Sequence, residues 1–412
     1  MLSSFNTQII RLMLTIVFYY GSKLSDLLKL KIYNYDPEKK LISFAIKPDP
    51  LLKQDIVYIP VHSPLDRLID SMLESRHRVI ATNPNDFLFS GYTKGYFTAL
   101  AMDQIKDYFT ALSAATGEKI NERSLYLSHR CYFETTGGLN PIIVDAISNR
   151  KAVDVYISRL YTRLTLQQVR QKHFEAFRRV RNFLGIDGSE KCYSIAGEQE
   201  ITIGGKRAVG PDAISAIFSH FKGLDLTIFE AATKWITFLI NYLTGSRVTE
   251  ITTLKIRSID FGLNLIKFRV KDTARRKNTT KVLPLSPFLR AALEYYCRLR
   301  SEMLSSNNKI DFPYLLFKIT SNGPTALTDD DVNEFYLEIA LACLIELFTS
   351  HALRYQTQTD MTIEELRFTF TNCVLSHYHY WDTIFSKNAD ISFLIFSEEY
   401  LAVTQKLIEK VI

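Results

Sequence analysis

The amino-acid sequence predicts a mainly α protein with small antiparallel β-sheets (α+β), laid out as two tandem copies of one structural unit. Three observations predict it. Residues 21–60 and 245–284 match without a gap at twelve positions when the chain is shifted by 224. Each matching stretch follows an apolar helical run, "MLTIVFYYGSK" in one case and "FLINYLTGSR" in the other. Each then carries two short alternating segments of strand type, with helical sequence around them. A repeat of so long a period means two copies of one unit.

The first copy opens on "MLSSFNTQIIRLMLTIVFYYGSK". Arg11 interrupts this run, the apolar part after it is too short to span a bilayer, and no small-residue cleavage site follows. It reads as a buried helix that stops at Gly21. A short amphipathic helix follows with Leu27, Leu30 and Ile32, then the strands "KLISFAIK" and "DIVYIPV". A helix led by Pro64 comes next, and mostly helical sequence completes the copy. The second copy repeats this order with Gly245, then Ile251, Leu254 and Ile256, the strands "NLIKFRVK" and "KVLPL", and a helix led by Pro287.

Between the copies, residues 162–184 read as an amphipathic helix. Leu166, Val169, Phe177 and Val180 line one side, and Arg170, Lys172, Arg178, Arg179 and Arg181 crowd the rest. That basic side suits either a nucleic-acid phosphate or plain solvent. Residues 185–212 are glycine-rich and aperiodic and read as a linker. The expected divisions are therefore 1–165, 166–212 and 213–412.

Composition sets outer limits. At 412 residues the chain has room for two or three domains, and 47% hydrophobic against 23% charged residues excludes a disordered chain. The formal charge of +6 (50 basic minus 44 acidic) permits a polyanionic partner without demanding one. Five cysteines with no CxxC pair supply neither a disulfide framework nor a zinc site, as in a reduced, cytosolic protein.

Several polar residues stand out against this frame. Arg247 directly follows the glycine and serine that end a buried helix, and Glu250 lies one turn on. Arg247 could clamp a phosphate or pair with Glu250 at the surface; Lys23 takes its place in the first copy. In "HALR", His351 and Arg354 are three residues apart and share a helical face, with Thr349 or Ser350 as a cap. Lys271 ends a strand before the basic turn that holds Arg275, Arg276 and Lys277, and Lys47 is its repeat partner. His377 stands 26 residues after His351 (377 − 351) and could equally be an ordinary helix-end histidine.

The order and spacing of "TGSRVTEITTLKIRSID", a strand pair bearing a lysine, "HALR" and "LSH" resemble the catalytic domain of the tyrosine recombinases, the phage-integrase family. The resemblance covers roughly residues 225–390, and more loosely 10–165. It implies tandem recombinase-type folds, double-stranded DNA as partner, and site-specific recombination or integration through a covalent 3′-phosphotyrosyl intermediate, with no metal or other cofactor. It also implies assembly with further copies or a partner recombinase on DNA, no membrane, and a bacterial cytoplasmic, nucleoid-associated setting. Within it, Arg247 and Arg354 would clamp the charge that builds on the phosphate, and His351 would hold the phosphate or move a proton. Lys271 would protonate the leaving 5′ oxygen, and His377 would contact the scissile phosphate.

The match has departures. The position for a nucleophilic tyrosine, nine residues past His377, is Ser386, and Ser376 replaces a glycine. Tyr400 comes late and would need the C-terminal helix to fold back. The first copy lacks both arginines, with Lys23 at one position and Tyr132 expected at the other. Yet "AISNRKAVDVYISRLYTRL" resembles the tyrosine helix of the family and offers Tyr156, either as a core aromatic or as a nucleophile entering the Arg247 pocket of the other copy. Tyr156 and Tyr400 are thus the candidate nucleophiles, and a catalytically inactive DNA-binding accessory is the alternative function. The departures resemble divergent integrase-like proteins of bacterial mobile elements, and the expectation is a shortened or decayed copy of a longer chain.

Overall fold

In each unit a helix rich in buried apolar side chains ends at a left-handed glycine. In the computed structural model, the described residues are 2–46, 56–93, 96–148, 150, 162–186, 190–204, 208–269, 280–307, 309–375 and 393–412. The chain forms two compact units, Met1–Leu160 with Leu164–Lys206 and Tyr161–Arg163 with Arg207–Ile412. Among the described residues no helix is long and apolar enough to cross a membrane.

In the first unit, α1 (Leu2–Tyr20) buries Ile9, Met13, Ile16, Val17 and Tyr20. Each such side chain contributes about 1.5–3 kcal/mol on burial, so tertiary packing rather than propensity holds the helix. It stops because Gly21 adopts φ 65°, a conformation costly to any residue with a Cβ. A Cβ there would also stand 2.6 Å from His129. The one-turn α2 (Leu24–Leu27) follows, then a 3₁₀ turn, Ile32–Asn34. The sheet comes next: β1 (Tyr35–Asp36), β2 (Leu41–Ala45) and β3 (Ile56–Pro60), all antiparallel in that order. Then come α3 (Leu65–His77), a hairpin of β4 (Ser90–Thr93) and β5 (Tyr96–Ala99), α4 (Met102–Thr116), α5 (Glu122–Cys131) and α6 (Pro141–Ser148).

The second unit repeats this order. α8 (Pro211–Lys222) packs Phe218 and Phe221 on Trp235 of α9 (Phe229–Thr244), which ends at Gly245 with φ 54°. α10 (Val248–Thr252), a 3₁₀ turn (Ile256–Ser258), β6 (Ile259–Asp260), β7 (Leu265–Arg269) and β8 (Thr280–Pro284) follow. Each of these begins 224 residues after its counterpart (for example 280 − 56). The pairing registers coincide too: Asp36 faces Leu41 and Leu41 faces Pro60, as Asp260 faces Leu265 and Leu265 faces Pro284. Even the turns agree, because the Asp36 and Asp260 carboxylates accept from the amides of Lys39 and Leu263, and Lys40 and Asn264 are both left-handed. The rest is α11 (Pro287–Ser306), a hairpin of β9 (Phe317–Thr320) and β10 (Gly323–Ala326), α12 (Asp329–Ala342), α13 (Ser350–Ile363), α14 (Phe368–Val374) and α15 (Phe393–Glu409).

The protein is thus mainly α with small antiparallel sheets, as the sequence predicts. The hairpins β4–β5 and β9–β10 were not anticipated. Their strands are only four residues long, too short for a clear period, and one of them, "GPTA", holds both glycine and proline.

The segment between the copies behaves differently from its sequence impression. The basic helix is α7 (Leu166–Phe183), capped by Thr165, whose hydroxyl accepts from the Gln168 amide. It belongs to the first unit. Arg170 is buried and paired to Glu198 at 2.6 Å, and Arg181 is buried and paired to Glu190 at 2.7 Å. Arg178 and Arg179 stay exposed, so two of the five basic side chains face inward. The glycine-rich stretch after α7 supplies both carboxylates, and Tyr193 donates to Asp66 at 2.5 Å.

Candidate functional site

The end of α9 builds a cluster of charges. Gly245 turns the chain, Ser246 is buried, and Arg247 takes the N-cap position of α10 in extended backbone. Glu250, at the third helical position, reaches back. Its carboxylate accepts from the Arg247 amide at 3.2 Å and from the Arg247 guanidinium at 3.0 Å. Glu250 is buried, whereas the Arg247 side chain keeps 31% of its surface exposed.

The oxygen that accepts from the Arg247 amide, Oε2, also lies 3.3 Å from Nζ of Lys281 on β8. Lys281 is fully buried, and its ammonium donates to Ser246 Oγ at 2.8 Å and to the carbonyls of Val374 and Thr244 at 3.1 and 3.2 Å. Burial lowers its pKa to about 8, and Glu250 opposes the shift. Burial also works against the Glu250 carboxylate, but Lys281, Arg354 and Arg247 outweigh it and hold its pKa below the ordinary value. Arg354 on α13 is buried as well, and its guanidinium donates to the carbonyls of Gly245 and Leu375. It satisfies a carbonyl that the end of α9 leaves without a helical partner.

Among the described residues the cluster therefore holds three cations, Arg247, Lys281 and Arg354, and one carboxylate, Glu250. Such an excess of buried positive charge favours an anion at the edge where Arg247 is exposed. Among the described residues, no three His, Cys, Asp or Glu side chains are placed to hold a metal.

Of the residues singled out from sequence, the structure brings Arg247 and Arg354 together around Glu250. His351 sits in the exposed first turn of α13, one turn before Arg354, with its ring 6.2 Å from that of Tyr355. Tyr400, on α15, is buried and donates to the Leu243 carbonyl at 2.8 Å, and burial pushes its hydroxyl pKa well up. Lys271, Arg275, Arg276, Lys277, His377 and Tyr156 lie outside the described residues. Lys281 was missed. Its signal was a lysine where the repeat places Val57 in an otherwise apolar strand (281 − 57 = 224).

The first unit has rebuilt the same corner. The N-caps Asn121 and Thr349 align α5 with α13, which sets Tyr126, and not Tyr132, opposite Arg354. Arg150 compensates: its guanidinium stacks 4.1 Å from the Tyr126 ring, donates to the Gly21 carbonyl at 2.9 Å and pairs with Glu122 at 2.9 Å. Glu122 also accepts from the Leu24 amide at 3.2 Å, next to Lys23. Both units thus place a guanidinium on the carbonyl of the left-handed glycine, from different elements.

No protein-family model matches the chain, and no curated protein matches it. Solved structures similar to it include a XerA recombinase, 12% identical over 84% of this chain and 91% of that one, with a TM-score of 0.33. A XerH site-specific recombinase bound to its difH substrate is 14% identical over 69% and 80%, with a TM-score of 0.34. The integrase of mycobacterium phage Brujita is 11% identical over 75% and 98%, with a TM-score of 0.34.

Proposed function

We propose that the chain binds double-stranded DNA, and that the Arg247 pocket of the second unit takes a backbone phosphate as one step of site-specific recombination or integration. The observation that carries this reading is the charge balance of the pocket. Three cations stand against one carboxylate among the described residues, and the one part-exposed guanidinium lies at its rim. A phosphodiester suits the planar fork of Arg247. In the covalent step a tyrosine oxygen, from Tyr156 or Tyr400, would attack phosphorus and pass its proton to His351, while the bond from phosphorus to the 5′ oxygen breaks and that oxygen leaves with a proton from Lys271. The 3′-phosphotyrosyl bond would preserve the strand for rejoining. Arg247, Arg354, His351 and His377 would stabilise the charge on the non-bridging oxygens. Arg275, Arg276 and Lys277, with Arg178 and Arg179, would hold flanking phosphates. Assembly on DNA and a role for a bacterial mobile element, in the cytoplasm, go with this reading.

A second reading, a non-catalytic DNA-binding accessory, is favoured by two observations. The Tyr400 hydroxyl is engaged in the core, and the Arg354 guanidinium donates to two backbone carbonyls.

The test is a nicked duplex that traps covalent intermediates. Recombination chemistry predicts a denaturant-resistant adduct that is absent in Arg247→Ala and in one of Tyr156→Phe or Tyr400→Phe. Salt-sensitive duplex binding weakened in Arg247→Ala, with no adduct on any duplex, identifies the accessory. Absence of duplex binding by the native chain removes both.

A further inference from the structure

A row of exposed leucines on the second unit calls for a partner. α12 buries Val332, Tyr336 and Ile339, while Leu337 and Leu341 face solvent. Just beyond the helix, Leu344 is 94% exposed and Leu347 61%. The first unit shows that the fold does not need them. The N-caps Ala101 and Thr328 align α4 with α12 at a shift of 227 (328 − 101). That register sets Thr110, Ala114 and Gly117 opposite Leu337, Leu341 and Leu344.

Position 344 is the informative one. Gly117 and Leu344 both adopt positive φ, 74° and 54°. Glycine takes that conformation freely, and leucine does so under strain. A leucine that is strained, apolar and almost wholly exposed gains nothing inside its own unit. Its compensation lies in a contact outside it.

Charge narrows the occupant. Residues 329–348 hold six acids and no lysine or arginine. Glu338 and Asp331 pair with Lys234 and Lys318, while Asp330, Glu334 and Glu346 are exposed. Like faces would set acid against acid, so the occupant is apolar with a basic flank. The C-terminal end of α7 has that composition: Phe183, Leu184 and Ile186 are exposed beside exposed Arg178 and Arg179. We propose that the leucine face of α12 in one molecule docks on the α7 end of a second copy of this chain, a head-to-tail contact between unlike surfaces. It stands independently of the DNA reading.

Sedimentation velocity on the full chain without DNA, across concentration and salt, tests it. The expectation is self-association that weakens with salt and is weakened by about tenfold or more in Leu344→Gly, while the same variant melts at a higher temperature because its strain is relieved. Those opposite directions separate a lost contact from a lost fold. Arg178→Glu with Arg179→Glu weakens it as much, and mixing that variant with Glu334→Arg, Glu346→Arg restores it. A chain that stays monomeric throughout overturns the proposal. So does Leu344→Gly without effect on association, or charge reversal without effect, which would give the leucines a different occupant.

Discussion

Glu250 is the residue on which the second-unit corner depends. It is the buried carboxylate against which Arg247, Lys281 and Arg354 are set, and two of those cations are themselves buried. Removing that carboxylate leaves two buried cations uncompensated, at about 3–5 kcal/mol, whereas loss of the part-exposed Arg247 leaves Glu250 still paired with Lys281 and costs less. Glu250→Gln is therefore expected to lower stability more than Arg247→Ala, read from the midpoints of urea unfolding. Equal losses would mean that Lys281 and Arg354 rest on their carbonyl partners alone. Arg150 and Arg354 show the complementary case. A left-handed glycine leaves a helix-end carbonyl without a partner, and the fold supplies a guanidinium to it from whichever element is near.

The elements of the two units coincide in order and register but differ in their buried titratable groups. In the first unit, His173 Nε2 meets the Tyr19 carbonyl and its Nδ1 lies 2.9 Å from His62 Nε2; His129 Nδ1 meets the Phe18 carbonyl. A ring nitrogen facing a carbonyl must donate, which fixes the proton on His173 Nε2 and on His129 Nδ1, and burial of all three rings disfavours a second proton. Burial lowers the pKa of His173 to about 4, that of His129 to about 3, and that of His62 well down. The unfolded chain binds these protons more readily. Their contribution is complete above the ordinary histidine pKa of about 6.5 and is lost as pH falls toward the folded values, at about 1.4 kcal/mol per pH unit for each ring. Asp360 in the second unit has the opposite sign. Burial raises its pKa to about 6 although Tyr242 donates to it at 2.7 Å, so its charged form costs stability above that pH and the cost disappears as pH falls. Between pH 7 and 5 the first unit should lose stability before the second. Hydrogen exchange at the two pH values reads this, and parallel loss in both units would contradict it.

At the scale of the whole molecule, the balance is mildly basic, with a net charge of +6, and pairing already absorbs part of it. Arg170 and Arg181 are neutralised inside the first unit. Affinity for duplex DNA would then come from the charges that remain reachable, Arg247 and the exposed Arg178 and Arg179 among them. Binding should fall linearly on a log–log plot against salt, and Arg247→Ala should reduce the slope by about one counterion. An unchanged slope in that variant would mean that Arg247 meets no phosphate.

Features written in consecutive residues were legible before any tertiary contact was known. The repeat, the glycine that stops each buried helix, and the longer strand pairs are local patterns, and a local pattern survives reading without coordinates. Arg247 and Glu250 were legible for the same reason, being one helical turn apart. The rest was decided by tertiary structure. Lys281 finds Glu250 across 31 residues (281 − 250), and Arg170 finds Glu198 across a glycine-rich stretch that carries no period. Whether a charged side chain points to solvent or into a core depends on the partner folding brings within hydrogen-bond reach, because burial without one is too costly. That partner lies outside any local window, and so the tertiary fold alone separated Arg178 from Arg170 and gave Arg150 and Arg354 equivalent carbonyls to hold, those of Gly21 and Gly245.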